Sequence, residues 1–274
     1  MEPAISVGEQ RREAVLGLFR SIAFALLVVA VPLTLVATNI RFAASEVRVY
    51  DYPIREYNAA ATTRIPQDEL LRANRELIAY FKAEDPAPLR IVVTNIDGEQ
   101  EQLFNARETA HLGDVRSLFQ SVFTLQTLSV ALILILMVAL LASSPLRLLA
   151  RALATGSAFT LALVGATAVL AYAGFEDAWR QFHFLAFTND LWELDPATDH
   201  LVQMFPQDFW FDITLLIGAL TMLEALIIGG ASWAYLYLTR WDEEEEQPGR
   251  RQPFERPLEP RPRIPPPRPR HLTH

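Results

Sequence analysis

Residues 122–142 read VFTLQTLSVALILILMVALLA and hold no charged side chain. Crossing the hydrocarbon core of a bilayer takes roughly 20 consecutive apolar residues in a helix. A helix also satisfies every backbone N–H and C=O where water is absent. The stretch therefore predicts a membrane span over 121–142, and it decides the class of the whole chain. Three more blocks of the same kind lie outward from it. On the N-terminal side, SIAFALLVVAVPLTLVAT (21–38) follows Arg11, Arg12 and Arg20 and contains Pro32, which a membrane helix tolerates. On the C-terminal side, residues 155–174 are rich in the Gly, Ala and Ser that let helices approach closely in lipid. The last block, 211–238, carries the acid Glu224 in mid-span. The arrangement predicts an α-helical membrane protein built on a four-transmembrane-helix bundle.

The first block has a rival reading. Its arginines and the small residues Ala43, Ala44 and Ser45 that follow it also suit a cleaved signal peptide. The apolar run is longer than the usual 7–15 residues of such peptides, so a retained span is expected.

Composition narrows the chemistry. The chain of 274 residues is 51% hydrophobic, and it is the sorting of charge away from four blocks that carries the membrane reading. Cysteine is absent, which excludes a disulfide framework, a thiolate metal site and a cysteine nucleophile. The net charge of −8 comes from acidic connecting segments and an acidic run near the C-terminus. Nucleic-acid binding needs a concentrated basic surface, so no such partner is expected.

Orientation follows from the short connections. Residues 143–154 hold Arg147 and Arg151 and no acid, which places them in the cytoplasm. Residues 175–210 hold seven acids against the single Arg180 and belong outside. Arginines in the 1–20 segment and Arg240 agree with both ends inside. The expectation is a multi-pass protein of the cytoplasmic membrane, N-in and C-in, with its active face extracytoplasmic.

The outer segment 39–120 is long for a plain loop. Pro66 with Asp68 and Glu69 opens a helical pattern, PQDELLRANRELIAYFK, that puts Leu70, Leu77, Ile78 and Phe81 on one face. Residues 89–94, the turn signal Asp97-Gly98 and residues 102–104 suggest a short hairpin. Together they predict a small α/β extracytoplasmic cap. The second outer segment is crowded with aromatics, as residues at a membrane–water interface are. The tail, 239–274, holds an acidic run and then half of the chain's 18 prolines among arginines. That composition cannot bury a core and predicts a disordered Pro/Arg-rich C-terminal tail. Its partner is not readable, and a monomer is expected.

Candidate chemistry gathers in the outer segments. Glu108, His111 and Asp114 recur every third residue and share roughly a 120° arc of a helix. Arg107 and Arg116 flank them. His183 stands among aromatics in the other segment, with Asn189, Asp190, Trp192 and Asp195 after it. An imidazole whose one nitrogen is fixed by a hydrogen bond leaves the other as a base suited to neutral pH. Glu108, His111, Asp114 and His183 also admit a mixed N/O metal site, although the spacing is not HExxH. No serine stands in a GxSxG elbow. His200 is expected in solvent, and Glu224, without a partner in the other spans, is expected to make a structural hydrogen bond within the bundle.

The motifs LFNARETAHLGDV and WRQFHFLAFTNDLWELDPATDHLVQMFPQDFW, in this order and topology, resemble a family of bacterial four-span membrane proteins that includes the lipoprotein intramolecular transacylase. The likeness covers roughly residues 18–237 and omits the tail. It implies cofactor-free and metal-free acyl transfer within one lipoprotein: the sn-2 acyl chain of a diacylglyceryl-cysteine moves to that cysteine's α-amino nitrogen. Lipoprotein and membrane lipid are then the partners. His183 is implied as the base for the amine and His111 as the proton relay to the leaving oxygen. Glu108 and Asp114 would orient the imidazoles, and Arg107, Asn189 or Trp192 would serve the oxyanion or hold the substrate's head. Two other readings stay open: a non-catalytic envelope ligand-binding sensor, and a transporter with Glu224 on a proton path.

Overall fold

A computed structural model describes residues 7–85 and 87–240. Four long helices dominate: α1 (Val7–Ala43), α5 (Ala106–Ser143), α6 (Leu146–Ala186) and α8 (Gln207–Leu238). By length and composition all four can cross a membrane, and most side chains of their apolar stretches face outward. Leu128, Leu134, Ile135 and Val138 on α5 are examples. At about 1.5 Å per residue, a helix of 38 residues is longer than a hydrocarbon core of about 30 Å is thick. Its excess, and that of α6, carries the two candidate histidines.

Between α1 and α5 the chain forms three short helices and a hairpin: α2 (Val47–Glu56), α3 (Ala59–Thr63), α4 (Gln67–Lys82), β1 (Val92–Thr94) and β2 (Gln100–Gln102). A last short helix, α7 (His200–Met204), precedes α8. The strands pair antiparallel with Val93 opposite Glu101, and the turn places Gly98 at φ 84°, in the left-handed region. The pairing partner of β1 therefore begins two residues earlier than the expected 102–104.

Two cores hold the molecule. One lies under α2 and α4, where Tyr50, Ile54, Leu70, Leu77, Phe81, Ile91 and Phe104 pack with Phe205 just before α8 and with Phe209 and Ile213 at its start. The other joins Ala23 and Leu27 of α1 to Leu136, Leu140, Leu149 and Ala152 around the α5–α6 connection. Asp212 clasps α2 to α8 by accepting from Tyr52 (2.8 Å) and Tyr57 (2.6 Å).

Glu224 makes the hydrogen bond within the bundle expected of it, but to a partner on another long helix, which was not expected: Asn39 on α1 donates to it at 2.9 Å and lies 3.1 Å from Thr221 of α8. Helix α1 runs five residues past Thr38, where the span was expected to end, so Asn39 still faces the bundle. Helix α6 likewise continues beyond Gly174, through a kink where that residue leaves helical geometry (φ 176°, ψ 80°), and reaches Ala186. The acidic and Pro/Arg-rich tail lies outside the described residues, apart from its first positions at 239 and 240.

Candidate active site

His111 sits on the first turns of α5 and His183 on the last turn of α6. The rings stand 6.2 Å apart, centre to centre, and both side chains are buried. His183 is enclosed by aromatics: Trp179 at 4.7 Å, Trp192 at 4.9 Å, Phe182 at 5.3 Å and Phe187 at 5.7 Å. Phe187 also meets His111 edge-on at 5.1 Å.

The tautomer of His183 is fixed by its partner. Its Nδ1 lies 2.8 Å from the carbonyl oxygen of Trp179, which can only accept, so Nδ1 donates. Nε2 is left with a lone pair. The Nδ1 of His111 is buried and has no hydrogen-bond partner among the described residues. Both imidazoles precede or follow the apolar spans, 121–142 and 155–174. Burial pushes His111 down to about 4, helped by the neighbouring His183 and opposed by the Asp114 carboxylate. Burial also lowers His183, against the pull of the Trp179 carbonyl. In both rings burial disfavours the charged form, and the uncharged form is the one that can accept a proton.

Both rings line a cavity of about 410 Å³ whose wall is mostly apolar. On α5 it is bordered by His111, Val115, Leu118 and Val122, at one-face spacing, and on α8 by Trp210, Thr214 and Ile217. The arrangement suits a hydrocarbon chain lying beside two uncharged bases.

The acids of the motif have hydrogen-bond partners of their own. Glu108 forms a capping box with Asn105 at the start of α5: the Asn105 side chain accepts from the Glu108 N–H, and the carboxylate accepts from the Asn105 N–H at 2.8 Å. The second carboxylate oxygen accepts from Leu201 N–H at 2.6 Å. Burial raises the Glu108 carboxyl and those two N–H groups lower it. Asn105 also donates to Asp199 (2.8 Å), and His200, expected in solvent, donates from Nδ1 to the Leu103 carbonyl at 2.8 Å. These contacts pin the 195–201 segment to the N-terminus of α5. Asp199 was missed in the sequence, although the N-x-x-E capping signal at 105–108 was there to be read.

Asp114, Asn189, Arg107 and Trp192 meet in the loop after α6. Asn189 donates to Asp114 at 2.9 Å, Trp192 Nε1 donates to the Asn189 carbonyl at 2.9 Å, and Arg107 donates to the carbonyl of Asp190. The loop so tied places the Trp192 ring over His183. Glu108, His111, Asp114 and His183 do not converge as a metal-binding group among the described residues.

The sequence profile of the lipoprotein intramolecular transacylase Lit matches residues 25–210, well over half the chain. The chain belongs to the Lit family. Among solved structures, Lit from Bacillus cereus superposes with a TM-score of 0.69 at 18% identity, covering 83% of this chain and 99% of that one. A histidine-to-alanine variant of the same Lit superposes with a TM-score of 0.68 at 17% identity, over 84% and 99% of the two chains. At such identity these likenesses establish the membrane-integral Lit fold. An uncharacterized protein of Aquifex aeolicus (strain VF5) is 27% identical over 128 residues, 47% of this chain. That match spans 56% of the relative's own length, a little over half. The two Lit motifs quoted above contribute His111 and His183, the pair that meets at the cavity.

Proposed function

We propose that this chain is an intramolecular transacylase of diacylglyceryl-cysteine lipoproteins, working at the outer face of the cytoplasmic membrane. The reading is carried by one observation: two buried imidazoles 6.2 Å apart on the wall of an apolar cavity, one with its Nδ1 held by a backbone carbonyl. Family membership supports the reaction class. The basic 143–154 connection and the acidic 175–210 segment support the orientation.

In this reaction the substrate carries both nucleophile and ester. The α-amino nitrogen of the lipidated cysteine attacks the sn-2 ester carbonyl, and a C–N bond forms as the C–O bond to glycerol breaks. The amine's proton passes to Nε2 of His183. His111 relays that proton from His183 to the departing glyceryl oxygen, which leaves as a hydroxyl. Atoms balance without cofactor or water, so the protein's contribution is orientation and proton transfer. Holding amine and ester together can supply several kcal/mol, and a positioned base typically adds 10²–10⁴-fold. Trp192, Asn189 and Arg107, tied into one loop, hold the substrate's head against the imidazoles.

The test is mass spectrometry of the N-terminal peptide of a lipoprotein co-expressed with the protein. Wild type should yield the N-acyl, lyso-glyceryl form, and His183→Ala should leave the diacyl form with a free amine. A diacyl product from well-expressed wild type would refute the reading.

A further inference from the structure

The apolar cavity that holds the two histidines is lined as far as Ile40 on α1, and a polar cluster of residues that do not line it lies just beyond. On α5 its lining stops at Val122, and on α8 it stops at Ile217. The next residue on that face of α8, one turn deeper, is Thr221, which is fully buried. On α1 the lining residue Ala43 has Asn39 one turn deeper, also buried. Asn39 lies 3.1 Å from the Thr221 hydroxyl and donates to Glu224 at 2.9 Å. Two buried polar side chains, Asn39 and Thr221, with the half-buried Glu224 bonded to them, thus stand one turn or less beyond lining residues of the cavity.

We infer that the Asn39–Thr221–Glu224 cluster is the floor that sets the longest acyl chain the protein transfers. The inference rests on the transacylase reading and names its chain-length determinant. From Trp210, whose ring stacks on Trp179 beside His183, to Thr221 is eleven residues of α8, about 16 Å at 1.5 Å per residue. His111 to Val122 on α5 gives the same run. A hydrocarbon chain enters this depth against apolar walls. Going further, its terminal methyl must part the buried, hydrogen-bonded Asn39 amide and Thr221 hydroxyl, and leaving such groups unpaired is unfavourable. The polar residues in mid-bundle therefore act as a measuring stop and link α1 to α8 as well.

The experiment uses the purified full chain in nanodiscs and synthetic diacylglyceryl-cysteinyl peptides that differ only in sn-2 chain length. N-acyl product is quantified by mass spectrometry across the series. Wild type should transfer chains up to a limit and fall off beyond it. Ile217→Phe fills the cavity above an intact cluster and should move the limit to shorter chains, lowering the long-to-short product ratio at least about tenfold. Thr221→Ala opens the floor and should move the limit the other way. Ala43→Leu, on a different helix, should shorten it as Ile217→Phe does, so a folding defect in one variant does not decide the matter. Transfer with the same length profile in wild type and the folded variants overturns the floor and leaves the transacylase reading standing. No N-acyl product from wild type at any length overturns that reading instead.

Discussion

A buried imidazole serves as a base only while uncharged, and both site histidines are lowered by burial, His111 to about 4. The sign follows directly. Protons enter the unfolded chain before the folded one, so the stability these groups permit is full above the unfolded value of about 6.5. It falls as pH drops through the window between that value and the folded one. The transfer rate should show no loss from imidazole protonation until pH falls below roughly 6.5, while the substrate's α-amino group sets its own limb at about pH 8. An added acid limb between these that is abolished only in the histidine variants would show that the imidazoles are charged at rest. Glu108 makes a different prediction, because its oxygens accept from the N–H groups of Asn105 and Leu201. Glu108→Gln turns an N–H toward one of these donors and should cost about 1–3 kcal/mol of stability. The readout is a lower Tm in detergent, with the kinetics of the folded fraction near wild type. Loss of transfer at an unchanged Tm would instead mean that Glu108 acts on the imidazoles.

Among the elements, the loop after α6 is the one whose ties are few and identifiable. It is held by Asn189 to Asp114, by Trp192 to the Asn189 carbonyl and by Arg107 to the Asp190 carbonyl. Asn189→Ala removes one tie worth about 1 kcal/mol, so transfer should fall by about fivefold. Amide hydrogen exchange should quicken over 188–194 and stay unchanged in α4; exchange confined to other segments would discard this view of the loop. Short elements were also where the sequence was hardest to read. Val47, Tyr50 and Ile54 have helical spacing in α2, yet Pro53 and the β-branched residues around it obscured a helix that tertiary packing stabilises. The extension of α6 past Gly174 was hidden because acids and aromatics at 175–186 break the apolar pattern without breaking the helix. The start of α4 was plainer, since Pro66 and two acids precede an apolar face.

For the molecule as a whole, the four apolar helices were legible from charge segregation alone, because lipid imposes one rule on every residue it touches. Which helices touch was not legible, since lipid-facing and helix-facing side chains are both apolar. The meeting of His111 and His183, far apart in the chain, depends on that packing. Small residues set its closeness. A Cβ at Gly229 of α8 would stand 2.9 Å from Ser157 Cβ of α6, and one at Gly156 would stand 3.0 Å from Val31 Cβ of α1. Gly229→Val should therefore push α8 from α6 and cost about 1–3 kcal/mol, seen as an earlier thermal transition. Gly230, whose Cβ would meet nothing within 4 Å, supplies the control. Gly230→Ala should melt with or slightly above wild type, since alanine is the better helix former, and a loss there equal to that at Gly229 would overturn the packing account.

The aromatic enclosure of His183 has a practical consequence. Trp179, Trp192 and Trp210 account for three of the chain's five tryptophans, and Trp179 and Trp192 lie within 5 Å of the His183 ring while Trp210 stacks on Trp179. Three of the five tryptophans therefore report on the candidate site. A hydrocarbon chain entering the cavity replaces the surroundings of these indoles, so the unlabelled protein signals its own occupancy by a change of colour and intensity in the ultraviolet.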